Sequence, residues 1–140
     1  MKTFKKIMLL LLIFVMVISM ISCGKKENPS GNQNVSYEFT EVFENGSTEF
    51  VFGVVDLNGN ESYFDIKTDK ETVGEALLEI GLIDGDDSDY GLYVKTVNGI
   101  TLDYDKDGKY WAFYIDNEYA TTSVDLTNIS EGTLYEFKAE

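Results

Sequence analysis

Three features of the sequence predict an α+β domain in which one helix packs across a mixed sheet of about five strands. The first is Lys109 to Asn117, which holds the only tryptophan and four aromatic residues in nine. Trp111, Phe113 and Ile115 share one parity; Tyr110, Ala112 and Tyr114 share the other. An extended strand turns the first set, all large and apolar, toward a core, and leaves two tyrosines around a small alanine on a half-exposed face. Asp107-Gly108 and Asp116-Asn117 bracket the run with turn chemistry, so it reads as a central strand. The second feature is a hairpin. Phe50, Phe52 and Val54 alternate with Val51, Gly53 and Val55, Leu57-Asn58-Gly59-Asn60 supplies the turn, and Phe64 and Ile66 then oppose Tyr63, Asp65 and Lys67. The third is a helix start, Thr72-Val73-Gly74-Glu75, with the spacing of a capping box. Val73, Ala76, Leu77 and Ile80 follow at helical intervals, and Gly81 is placed to stop the helix in the left-handed conformation. It is the one helix expected in the mature chain, about two to three turns long.

The remaining elements follow in order. Met1 to Ser22 reads as a signal peptide: Lys2, Lys5 and Lys6 form a basic start, and Ile7 to Ile21 is almost wholly apolar. That run is shorter than the roughly 20 residues a bilayer span needs. Met20-Ile21-Ser22-Cys23-Gly24 matches a bacterial lipobox, so Cys23 is expected to become the lipidated mature N-terminus. Two or more acyl chains, at about 0.8 kcal/mol per buried CH₂, would hold the chain on the extracytoplasmic face of the membrane. Cys23 is the single cysteine, which leaves no disulfide. Residues 23–46 are expected to form a flexible tether, because Gly24 to Asn34 has no apolar side chain except Pro29. Within it, Val35 to Phe43 regains aromatics and reads either as an extra strand or as the end of the tether. The globular domain is expected over 47–140.

Asp84 to Asp89 reads as a polar loop, Leu92 to Val97 as a strand, and Asn98-Gly99 as a turn. Ile100 to Tyr104 leads into a second acidic loop before the Trp111 strand. Tyr119 to Ile129 winds over one end, Ser130-Glu131-Gly132 turns, and Thr133 to Lys138 is the last strand. Strand, strand, helix, strand, strand, strand is the layout of the β-grasp, with the first and last strands paired at the centre.

The helix start Thr72 to Leu78, the segment Gly91 to Gly99, the strand Lys109 to Ile115 and Gly132 before the last strand occur here in one ordered series. That series resembles the transcobalamin-like C-terminal domain, over about Thr48 to Glu140. The resemblance implies a β-grasp module of the kind found in vitamin B12 carriers and in bacterial surface lipoproteins. In the animal carriers this domain closes over a corrinoid held by a helical partner domain, and no such partner domain is expected within these 140 residues. It departs at Asp116-Asn117-Glu118, where bacterial relatives usually have an Asn-Gly turn. The resemblance carries the fold, with a corrinoid as the ligand it implies; fold alone does not fix a ligand.

Charge narrows the partners. The chain carries −14, and −17 once the three lysines of the first 22 residues are set aside. Such acidity repels phosphate backbones and anionic headgroups, so no nucleic-acid partner is expected, and the membrane is reached through the lipid on Cys23. The expected partner is a small molecule or a surface protein or transporter. Tyr110, Trp111, Tyr114 and Tyr119 are the candidate ligand-binding residues, since aromatic side chains give large, stiff contact area. By resemblance, the edge near Tyr110 and Trp111 and the loop from Tyr119 to Asp125 would approach a ligand. Asp103, Asp105 and Asp107, ahead of Gly108, match the first half of a calcium loop. The position that should complete the oxygen cage is Tyr114, in a strand, so a solvated turn is the preferred reading and calcium is disfavoured. No catalytic residues are assigned. The chain has no histidine, its cysteine is committed to the anchor, and no nucleophile elbow, phosphate loop or zinc spacing occurs.

Overall fold

The computed structural model describes residues 36–140. The signal peptide, Cys23 and most of the expected tether lie outside the described residues. Nine strands, two short helices and one 3₁₀ turn make up the described part: β1 (Phe39–Glu44), β2 (Thr48–Val55), β3 (Glu61–Thr68), α1 (Val73–Glu79), β4 (Ile83–Ser88), β5 (Gly91–Val97), β6 (Ile100–Thr101), α2 (Tyr104–Asp107), β7 (Trp111–Ile115), β8 (Glu118–Tyr119), the 3₁₀ turn Val124–Leu126, and β9 (Leu134–Ala139). The domain is mostly β, in two sheets. The larger runs β1-β3-β2-β9-β7-β8 and the smaller β4-β5-β6.

The larger sheet is mixed: β2 pairs with β9 in parallel and with β3 in antiparallel, so the hairpin's first strand and the last strand sit together in the middle. Phe50, Phe52 and Val54 from β2, Phe64 and Ile66 from β3, Tyr135 and Phe137 from β9, and Trp111 and Phe113 from β7 all enter one core. The parity seen in the sequence therefore sets which face is buried. Val73, Ala76 and Leu77 of α1 close the core from the other side. Thr72 caps this helix with both halves of the capping box in place, and Gly81 takes φ +72 just beyond it.

Four expectations are corrected. Two sheets, of six and three strands, replace the single sheet of about five. The Trp111 strand is not central; β7 lies between β9 and the two-residue β8, one place from the edge. Asp84 to Asp89 is mostly strand β4, paired along β5. Its residues lack apolar alternation because the strand is largely exposed; backbone pairing and Lys95 bound to Asp86 at 2.5 Å hold it instead. The acidic loop after β6 winds into the one-turn helix α2, where Asp103 accepts from the Asp105 N–H and Gly108 closes the turn at φ +66. The open reading of Val35 to Phe43 resolves as a strand from Phe39 onward: β1 runs parallel to β3 at the sheet edge, and Val35 lies outside the described residues.

At the departure noted in the sequence, Asp116 and Asn117 both take left-handed φ, +48 and +67. Two such residues in a row make the turn that an Asn-Gly pair makes, and its twist suits the β7–β8 hairpin. The Asp116 carboxylate also accepts from the Leu134 N–H at 3.0 Å, tying this turn to the start of β9.

Candidate functional site

Where the smaller sheet meets the outer strands of the larger one, a groove of about 210 Å³ opens. Trp111 and Phe113 from β7, Leu92 and Val94 from β5, and Phe137 from β9 line it with apolar surface, and Tyr110 and Tyr119 stand at β7 and β8. Thr122 and Ser123 add hydroxyls. No charged residue lines it.

Local chemistry fixes its walls. The segment Ser123–Leu126 wedges between α1 and β5, and this is possible because two glycines face it. A Cβ on Gly74 would come within 2.6 Å of the Asp125 Cα, and one on Gly91 within 2.5 Å of the Ser123 Oγ. Asp125 then bonds across the junction: its carboxylate accepts from the Leu92 N–H at 2.8 Å and from the Ser123 hydroxyl. These bonds hold its carboxyl below the ordinary range against the opposing effect of burial, which is the largest single influence on it. On the far wall, the Trp111 indole N–H donates to the Ile100 carbonyl at 3.2 Å, so the ring that floors the groove is held by β6.

Of the four sequence-predicted ligand residues, Tyr110, Trp111 and Tyr119 come together along the groove. Trp111 is also core, 6% exposed. Tyr114 does not line the groove; it lies on the outer face of the sheet, edge-on to Tyr119 at 5.4 Å, with its hydroxyl donating to Glu140 at 2.6 Å. Tyr110 donates to the same carboxylate at 2.9 Å. Those bonds push the Tyr110 hydroxyl up from its usual range and that of Tyr114 up to about 12.

Sequence reasoning missed Leu92 and Val94 as groove residues. Thr122 and Ser123 fall within the loop from Tyr119 to Asp125 to which the resemblance pointed, without being singled out there. The aspartates of the partial calcium motif serve the backbone of α2: Asp103 caps it and pairs with Lys106 at 3.3 Å, and Asp107 accepts from the Lys109 N–H at 2.9 Å. Among the described residues no group of three or more Asp, Glu, His or Cys is gathered to hold a metal ion. Nor is any described helix long and apolar enough to cross a membrane.

The fold and the groove define a small, mostly β domain with two sheets and an uncharged aromatic cleft between them. Residues 70–140 match the family described as a domain of unknown function, DUF4430, and the chain belongs to it. A proposed metal-binding protein from Ruminococcus gnavus ATCC 29149 is similar in structure, with a TM-score of 0.64, 30% identity, and coverage of 67% of this chain and 97% of that one. Haptocorrin in complex with Cbi is similar at a TM-score of 0.55 over 66% of this chain. At 11% identity that likeness concerns the fold alone, of the transcobalamin type, and this chain spans only a quarter of haptocorrin, 25% of its length. No curated protein matches the chain.

Proposed function

We propose that the chain is a lipid-anchored extracytoplasmic binding module of β-grasp type, without catalytic activity, that grips one edge of a small soluble ligand in the groove between β5 and β7. The observation that carries this reading is the meeting of Tyr110, Trp111 and Tyr119 with Leu92 and Ser123, from segments far apart in sequence, around one uncharged cleft. Apolar lining with a few hydroxyls is the usual chemistry of a small-molecule site. At about 210 Å³ the groove falls below the roughly 300–1,000 Å³ of pockets that enclose a ligand, so it would hold an edge and leave the rest to solvent or to a second protein. A corrinoid is the ligand to try first, because the haptocorrin structure of similar fold carries Cbi. The anchor is Cys23, as the lipobox implies, and the lack of histidine supports holding over chemistry.

Calorimetric titration of the protein with cobalamin tests the reading. Saturable binding is expected, with Tyr110→Ala weakening it about tenfold, within the range for losing one aromatic contact, while the melting temperature moves little. Equal loss of binding and of folding would contradict it, as would no binding of cobalamin or its precursors.

The alternative is a cell-surface interaction or adhesion module with no small-molecule ligand. The exposed edge strand β1 favours it, since an unpaired strand edge can add a strand from a partner. Capture of a defined surface partner, with no small-molecule signal, would support that reading over the first.

A further inference from the structure

The groove uses only half of a second feature: a ribbon of four tyrosines beside β7, of which Tyr110 and Tyr119 also line the groove. Tyr104 meets Tyr110 edge-on with ring centroids 6.2 Å apart, and Tyr114 meets Tyr119 in the same way at 5.4 Å. Glu140 links the two pairs by accepting the hydroxyls of Tyr110 and Tyr114. The end members, Tyr104 and Tyr119, are each 60% exposed. Exposed aromatic area in such a row is unusual on a surface that gains nothing from it.

One ring shows what the ribbon accepts. The Lys138 ammonium sits 4.6 Å from the centroid of Tyr114, a cation over an aromatic face, while it also pairs with Glu136 at 3.3 Å. A hydroxyl that donates to a carboxylate leaves its ring richer in electrons, which strengthens that attraction. The surroundings have the same sign. Asp103, Asp105 and Asp107 flank Tyr104 against Lys106 and Lys109, and Glu118 precedes Tyr119. Residues 36–140 together hold 24 carboxylates against six lysines. Anionic partners are repelled by that field, and a purely apolar one would desolvate the carboxylates without replacing their contacts.

We propose that this ribbon docks an extended, lysine-bearing segment of a protein partner, whose ammonium groups rest on the rings of Tyr104 and Tyr119 as Lys138 rests on Tyr114. Tyr110 and Tyr114 share one parity along the strand, as alternate side chains of an extended partner share one face. The inference does not require the groove to hold a ligand, although the two surfaces share Tyr110 and Tyr119.

The test is calorimetry on the full chain with a short peptide alternating lysine and glycine, at physiological salt, beside the same peptide with glutamate in place of lysine. The lysine peptide is expected to bind and the glutamate peptide not to. In a Tyr104→Leu/Tyr119→Leu double variant the lysine peptide should bind about tenfold more weakly, since each exposed cation–π contact is worth about two- to fivefold. Glu140→Gln, which leaves all four rings in place, should weaken it about threefold by removing one nearby charge. Asp87→Asn, on β4, should change it less than about twofold, which separates the ribbon from general acidity. Should the double variant not fold, Glu140→Gln against Asp87→Asn decides the matter. Equal binding by wild type and ribbon variants, or no binding of the lysine peptide, overturns the proposal; the groove reading stands or falls separately, on cobalamin titration of the wild-type chain.

Discussion

Phe52 and Gly53 are neighbours in β2, and they belong to different chemistries. Phe52 points inward, fully buried, with Phe64 at 6.0 Å and Phe137 at 6.2 Å between ring centroids. Gly53 opens on the outer face, where register sets Tyr63 on one side and Glu136 on the other. The same register continues from Glu136 to Tyr114 and from Tyr114 to Tyr119, so one row crosses the sheet. The inner face is closed by rings packed on rings. The outer face is closed by tyrosines laid over carboxylates: Glu136 is 3% exposed, with Lys138 as its ion pair, and Tyr37 packs at a tilt against Tyr63, ring centroids 4.6 Å apart. Stability therefore rests on the inner face, while exposed tyrosine rings collect where the outer face meets the β7–β8 edge.

Four measurements sharpen that contrast. The largest effect is expected from Phe52→Ala, which should lower unfolding stability in denaturant by about 3–5 kcal/mol through a cavity in the aromatic core. Gly53→Ala comes next. Its Cβ would lie 2.9 Å from the Glu136 Cγ and 3.0 Å from the Tyr63 Cε1. Displacing those side chains should cost about 1–3 kcal/mol in the same assay, with the core's near-ultraviolet signature kept. A result as large as that of Phe52→Ala would erase the distinction between the faces.

Tyr135→Phe tests the one hydroxyl in the inner aromatic set. It accepts from the Ser130 N–H at 2.9 Å and donates to the Asn128 carbonyl at 3.2 Å. Losing it should cost about 1–2 kcal/mol, because both backbone groups lose a partner. The smallest effect belongs to alkaline pH. Tyr114 is held protonated up to about 12 against an ordinary value of 10.0, first by its bond to Glu140. Between those two values the unfolded chain has released this proton and the folded chain has not, so stability present below pH 10 declines as pH rises toward 12. Glu140→Gln should bring the ultraviolet titration of tyrosinate to lower pH and narrow that window.

Much of this was legible in the residues. Parity gave both faces of β2, β3 and β7, and the capping box gave α1, because those signals are local and periodic. Strand β4 was hidden: Asp84, Asp86 and Asp87 look like loop, and only the partner strand β5 makes them a ladder. The second sheet went with it. The groove was half legible. Tyr110, Trp111 and Tyr119 could be named and the loop holding Ser123 indicated, but Leu92 reaches the same cleft by long-range packing, which no local pattern shows. Parity does not separate Tyr114 from Tyr110, which shares it; only the packing shows that Tyr110 lines the groove and Tyr114 does not.

The central claim is that ligand enters the cleft floored by Trp111. Its indole N–H, held by the Ile100 carbonyl, gives a single resolved signal in a proton–nitrogen correlation spectrum, since the chain has one tryptophan. Titration with cobalamin is expected to move that signal in a saturable way, together with the Leu92 and Ser123 amides. Saturable binding that leaves the indole signal in place would contradict the claim.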